Sequence, residues 1–303
     1  VIRKSTVDAS VSPAQRHGLR ELLEDPRFEV LPLGRIVDDA VAHLPAGAKV
    51  TVTASPTRGA DPTVETAEAL IRKGFRAVPH LAATQHGEDS LPHTLERLQT
   101  AGVQEVFVVG GDAADGQARR GKTTAMRDAP FSDGQKLLAA VRRLAPELRL
   151  GVAGYPEGHP KISQETLDES LAQKAEWACC LVTQLCFDPQ TVHEWATGLR
   201  ARGVQTPVYA GVPGSVGSAR LMRVAGRIGI GDSLRFLASG RAGLALRLAS
   251  PGRYDPTSLV AGLVTASGDV VVSGIHLYTF NALEETELWR RRLVAWLEEG
   301  DHG

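Results

Sequence analysis

"RFEVLPLG", residues 27–34, is a short apolar run closed by proline and glycine, with one carboxylate, Glu29, inside it. A run that is continuously apolar rather than alternating is what a strand covered on both faces by helices looks like. The pattern returns along the chain. "KVTVTA" (49–54), "RAVPHLA" (76–82), "QEVFVVG" (104–110), "LRLGVAGYP" (148–156), "CCLVTQ" (179–184), "PVYAGV" (207–212) and "DVVVSGIHLYT" (269–279) bring the candidate strands to eight. Helical spacings run between them, such as Val37, Val41 and Leu44; Leu91, Leu95 and Leu98; and Leu137, Leu138 and Val141. After the seventh strand the interval is longest and predicts helices over 217–226, 231–248 and 255–267, before a last helix near 283–298.

Eight strand-helix units in 303 residues predict an α/β fold, a closed (β/α)8 TIM barrel, as a single domain with extra helices after strand seven. The barrel is expected over 27–300, with an N-terminal extension at 1–26. No Gly-rich fingerprint follows the first strand, which argues against an open dinucleotide-binding sheet. A long polar segment, "GGDAADGQARRGKTTAMRDAPFS" (110–132), is of the kind that shapes an active site.

The 34 Lys and Arg balance 35 Asp and Glu with no long block of either sign, so neither a nucleic-acid groove nor a polybasic membrane contact is expected. No apolar stretch is long enough to suggest a membrane span, and no apolar signal core opens the chain, so a cytoplasmic location is expected. The three cysteines, Cys179, Cys180 and Cys186, form neither a disulfide framework nor a usual zinc spacing. They read as reduced, small buried hydrophobes, with no base or basic cluster nearby in sequence.

In such a barrel, chemistry sits at the carboxyl ends of the strands. The polar residues there are Glu29, Thr53, His80 and Asp112 for the first four strands. Tyr155, Glu157 and His159 follow the fifth, Gln184 closes the sixth, and His276 with Tyr278 ends the eighth. Each also has an ordinary reading. Thr53 suits a strand, a lone histidine such as His80 is often hydrogen-bonded in a core, and Asp112 after two glycines could start a turn. The histidines come from different loops without ligand spacing, so no metal is expected.

These positions also carry a signature. "FEVLP" resembles the first-strand motif of the methylenetetrahydrofolate reductases, "VTVT" their second-strand segment, "VPHL" their Pro-His-Leu, and "VGGD" their Arg-Gly-Asp turn. "GYPEGHP" is similar to their Ala-Tyr-Pro-Glu-x-His-Pro loop, "VTQLCFD" to Thr-Gln-aromatic-aromatic-Phe-Asp, and "IHLYTFN" to His-Phe-Tyr-Thr-Leu-Asn. The matches run in order from residue 28 to 281, and "GYPEGHP" and "TQLCFD" are the distinctive ones.

The resemblance implies reduction of methylenetetrahydrofolate to methyltetrahydrofolate, with electrons from NADH or NADPH passing through FAD. It implies Glu29 as the acid that opens the folate's five-membered ring to an iminium, a task suited to a carboxyl group in an apolar setting. Asp112 would lie between flavin and folate, favouring the cation. Gln184 would meet the pterin amide edge, and Tyr278 would complete the substrate rim. Thr53, His80, Gly111, Tyr155, His159 and Lys174 match cofactor positions. The partners expected are a folate and a nicotinamide dinucleotide, with no nucleic acid and no membrane, and a homo-oligomer is left open.

Three departures bear on the cofactor. Gly110 stands where the family has the arginine of its Arg-Gly-Asp turn. The segment before strand six, "ESLAQKAEWA", carries one lysine, Lys174. The stretch "SVGSARLMR" (215–223) lacks the aromatic that covers substrate, leaving Arg220 or Leu221 to substitute. The alternatives are therefore a flavin-free enzyme with direct hydride transfer from NADH, a non-enzymatic folate- or flavin-binding paralogue, and a related reductase acting on another pterin. Arg119, Arg120 and Lys122 could meet phosphates or the folate's glutamate tail, or simply be solvated.

Overall fold

Residues 12–55, 57–110, 131–159, 162–225 and 252–299 are described by a computed structural model of the chain. Its eight parallel strands are β1 Arg27–Val30, β2 Lys49–Val52, β3 Arg76–Ala82, β4 Glu105–Val109, β5 Arg149–Gly154, β6 Ala178–Thr183, β7 Val208–Pro213 and β8 Gly274–Tyr278. They close into a barrel in sequence order. The helices are α1 Pro13–Glu24, α2 Ile36–His43, α3 Asp61–Arg72, α4 Ser90–Ala101, α5 Gly134–Leu144, α6 Gln164–Ala175, α7 Pro189–Ala201, α8 Ser218–Ala225, α9 Thr257–Ala261 and α10 Leu283–Glu299. The (β/α)8 reading therefore holds. The segments expected to carry Gly111, Asp112, Arg119, Arg120 and Lys122, and the helix at 231–248, lie outside the described residues.

Two strand-adjacent expectations are corrected. The last strand begins at Gly274 and not at 269, because Val270 pairs antiparallel with Val264 across a turn closed by Thr265 and Asp269. The ladder to β7 starts only where Ser273 N–H donates to Val208 O at 2.6 Å. The helix expected over 255–267 is reduced to the single short α9, after which Gly262 and the same turn take over.

The chain groups into two compact units, one holding Arg27–Ala153 with Asp168–Leu181, the other Val1–Pro26, Gly154–Leu167 and Val182–Gly303. In the second unit, α1 starts on a reciprocal cap, with Ser12 Oγ accepting from Gln15 N and Gln15 Oε1 accepting from Ser12 N. Its Leu19, Leu22 and Leu23 form the buried stripe. Gly18 admits the turn before β8, since a Cβ there would fall 2.8 Å from Gly268 O. Arg290 on α10 holds Glu287 through two 2.8 Å bonds and donates to Leu23 O at the end of α1.

In the first unit, parallel register pairs Arg27 with Lys49 and Lys49 in turn with Arg76, and Glu29 with Thr51 and Thr51 in turn with Val78. Phe28 and Val30 are buried at 0% and 1% exposure. Arg27 points the other way, across to β4, where its Nη1 donates to Glu105 Oε1 at 2.5 Å, and to β6, where Nη2 meets Cys180 Sγ at 3.2 Å. Lys49 Nζ donates to the second Glu105 oxygen at 3.0 Å. Burial works to raise the Glu105 pKa, but the Arg27 and Lys49 charges and hydrogen bonds outweigh it and hold the carboxyl below its ordinary value. No basic cluster lies near the cysteines in sequence, but closure of the strands brings Arg27 against Cys180. Its Sγ is 3.9 Å from that of Cys179 and 3.8 Å from Glu105 Oε1. The contact between the two thiols, in which Cys179 donates to Cys180, draws the half-buried Cys179 thiol down, while that contact and burial push Cys180 up.

Candidate active site

Alternation along β1 gives Glu29 the same side as Arg27, two residues nearer the carboxyl end of the strand. Its side chain keeps 15% exposure, and Oε2 lies 3.7 Å from Nε2 of His80, itself 10% exposed at the end of β3. That separation is beyond a direct hydrogen bond but within range of charge coupling. The His80 ring packs on Phe107 of β4, its register partner, with centroids 4.8 Å apart. Phe107 in turn uses space left by Gly151 on β5, where a Cβ would fall 2.7 Å from the Phe107 ring and 3.2 Å from Cys180 Sγ.

Beside this pair, Thr53 follows β2, and its N–H donates to Val30 O at 2.9 Å. Its hydroxyl Oγ1 is buried with no hydrogen-bond partner among the described residues. Gln85, which sequence reasoning missed, shares the condition. Its Nε2 donates to Ser55 O at 2.6 Å, while its Oε1 is buried and unpartnered among the described residues. The only sequence signal for Gln85 is its place just beyond β3, in a short 3-10 turn Ala83–Gln85. Lys174 ends α6 half-buried. Burial draws its pKa down while the Asp133 carboxylate at the start of α5 acts in the opposite sense.

The second unit carries the other candidates. Gln184 is fixed by its N–H, which donates to Gly154 O at 2.8 Å, and its side-chain amide makes no hydrogen bond among the described residues. Tyr155 and His159 meet edge to face with ring centroids 5.5 Å apart, around a turn in which Gly158 takes φ 78°. The Tyr278 hydroxyl donates to Thr183 O at 3.0 Å, so this residue offers its ring rather than its hydroxyl. The ring stacks on Phe280 with centroids 6.5 Å apart. Gly211 makes that seat possible, because a Cβ there would fall 2.7 Å from the Tyr278 ring.

Two findings change the reading of the rim. Leu221 is fully buried in a cluster with Leu185, Phe187, Val216, Tyr254, Phe280 and Ala282, so it cannot cover a substrate from an exposed loop. Arg220, by contrast, is exposed on α8. Phe280 and Asn281 take φ 49° and 63°, left-handed values that asparagine tolerates better than most residues and that are costly for phenylalanine. Such strain gathers where a segment is held for function, here directly after β8.

The fold is a (β/α)8 barrel, with an acid and a histidine near the carboxyl ends of β1 and β3 in the one unit and an amide, Gln184, just past β6 in the other. The family model for methylenetetrahydrofolate reductase matches residues 33–229, and the chain belongs to that family. It is 27% identical over 189 residues to a methylenetetrahydrofolate reductase (NADH) 1 of Zea mays, an alignment covering 58% of this chain and 31% of that protein. It is 25% identical over 154 residues to methylenetetrahydrofolate reductase 2 of Saccharomyces cerevisiae, covering 49% of this chain and 25% of that one. The aligned stretch thus spans between a quarter and a third of the length of these curated relatives. A solved structure of an uncharacterized Clostridium thermocellum protein that binds two copies of 5-methyl-5,6,7,8-tetrahydrofolic acid shares the fold. That match has a TM-score of 0.53 at 10% identity and covers 93% of this chain and 98% of the other.

Proposed function

We propose that the protein reduces 5,10-methylenetetrahydrofolate to 5-methyltetrahydrofolate with NADH or NADPH, with Glu29 as the general acid. The observation that carries the proposal is a carboxyl group at the open end of β1, 3.7 Å from a half-buried histidine, in a chain of this family. Protonation of the arylamine nitrogen breaks its bond to the bridging carbon and leaves an iminium on the other nitrogen. Hydride addition to that carbon then completes the methyl group. Glu29 supplies the proton, and His80, seated on Phe107, keeps the carboxyl group oriented and couples to its charge. Gln184, whose amide both donates and accepts, is free to pair with the pterin edge. Tyr278 presents its ring beside it, and Asp112 favours the cationic iminium. The exposed Arg220 remains available to the substrate's acidic tail.

The residues present fit a flavin in one respect: Thr53 Oγ1 and Gln85 Oε1 are buried polar atoms without partners among the described residues, at the ends of β2 and β3. Thr53, His80, Gln85, Gly111 and Asp112 would hold FAD, with Tyr155, His159 and Lys174 in the cofactor roles that the family resemblance gives them. When bound, FAD would relay hydride from the nicotinamide. A second reading, direct transfer from NADH without flavin, is favoured by Gly110, which removes the cation that the family places before its aspartate. The visible spectrum of the purified protein separates the two, because only the first gives flavin absorption.

The test of the proposal is Glu29→Gln. Methyltetrahydrofolate formation should fall by about 100-fold to 10,000-fold, the usual worth of a positioned acid. Any reduction of bound flavin by NADH should stay near the parent rate. A variant that makes methyltetrahydrofolate as fast as the parent would remove Glu29 from the mechanism.

A further inference from the structure

The ion cluster near the amino end of β1, β2, β4 and β6 holds a set of groups that the proposed reduction does not use. Cys179 Sγ, Cys180 Sγ and a carboxylate oxygen of Glu105 lie within 4.8 Å of one another. Cys180 and Glu105 are buried, at 1% and 4% exposure, while Cys179 is half-buried and gives a route of entry. We infer that Glu105, Cys179 and Cys180 form a binding site for a thiophilic divalent ion of the zinc and cadmium class.

The distances carry the inference. A tetrahedral ion with bonds of about 2.3 Å to sulfur and about 2.0 Å to oxygen sets its sulfurs about 3.8 Å apart and sulfur from oxygen about 3.5 Å apart. Here the two sulfurs are 3.9 Å apart, and Cys180 Sγ is 3.8 Å from Glu105 Oε1. The third pair, Cys179 Sγ and Glu105, lies within 4.8 Å, so two edges of a tetrahedral face stand near their bound length and the third closes when the ion enters, with the fourth position left for water. A carboxylate has about four lone-pair sites, and Arg27 and Lys49 each occupy one here, so Glu105 retains capacity for an ion.

The nearby cations do not forbid the site, because the exchange conserves charge. With both thiols protonated, Arg27, Lys49 and Glu105 sum to one positive charge. Each thiol loses its proton as its sulfur-metal bond forms, so two protons leave for each divalent ion that enters, and the sum is unchanged. Occupation would tie β4 to β6 through a single ion and would stabilise the folded chain.

The experiment titrates the reduced protein, free of added metal, with Cd2+ and follows the ultraviolet thiolate-to-cadmium charge-transfer band. The band should grow to one equivalent, vanish in Cys179→Ser and persist in Cys186→Ala. Thermal melting should shift upward with Cd2+ in the parent and not in Cys179→Ser, which changes one atom of a half-buried side chain. A parent without the band, a band that survives Cys179→Ser, or one lost in Cys186→Ala would overturn the site. None of these readouts depends on reductase activity.

Discussion

Along β1, Arg27 and Glu29 are two residues apart, about 7 Å of strand, yet they stand in opposite chemical conditions. Around Arg27 the charges answer one another: guanidinium, ammonium, carboxylate and thiol meet at hydrogen-bond or close contact distances. Past Glu29, toward the carboxyl ends of β1, β2 and β3, the described contacts are of another kind. The histidine is 3.7 Å away, and the Thr53 hydroxyl and the Gln85 carbonyl are buried without partners among the described residues. The lesson is that one strand divides its polar residues between holding the barrel and meeting a ligand. The first group is recognised by the close ion pairs that tie its strands together, and the second by the buried hydroxyl and amide oxygen that no described residue meets.

The comparison predicts that variants in the two layers fail differently. Glu29→Gln is expected to show the largest effect, the loss in turnover given above, with little change in melting temperature. Equal losses of both would erase the distinction. Arg27→Met should cost about 3 kcal/mol of stability, because it leaves the buried Glu105 with Lys49 alone, while turnover at permissive temperature stays near the parent value. Denaturant unfolding measures the first and a steady-state assay the second.

The same pair sets an acid limb. Glu105 has a lower pKa folded than its ordinary value, so its stabilisation is complete above that ordinary value and is lost as pH falls through the folded one. Stability measured from neutral pH downward should therefore decline more steeply in the parent than in Arg27→Met. Thr53→Val, the smallest effect, should change folding stability by less than about 0.5 kcal/mol, since the hydroxyl it removes has no partner to lose. If FAD is the cofactor, the variant should bind it more weakly in a fluorescence titration, and a tightened complex would break the assignment of Thr53.

The barrel was legible in the sequence because each strand is a continuous apolar run and each helix a spaced one. Glu29 was legible because it interrupts such a run. The start of β8 was not, since Val270 and Val271 look like strand while Val270 serves the turn that packs on α1. Leu221 was read as a candidate cover because an amphipathic helix does not announce which neighbours fill its apolar side. The Arg27 cluster was invisible for another reason. Its members are 78 and 153 positions apart in the chain, and only closure of the strands brings them together. Of the left-handed turn at Phe280 and Asn281, only the asparagine is a type that signals it.

Gly151 has a consequence for how this protein can vary. A methyl group there would press on Phe107 on one side and approach Cys180 on the other, so the position faces both layers at once. A chain of descent that enlarges residue 151 must therefore shrink 107 or shift 180 in the same lineage. The seat of His80 and the thiol of the lower cluster would then drift together. Positions 107, 151 and 180 should behave as one heritable unit, and covariation among them would be its record.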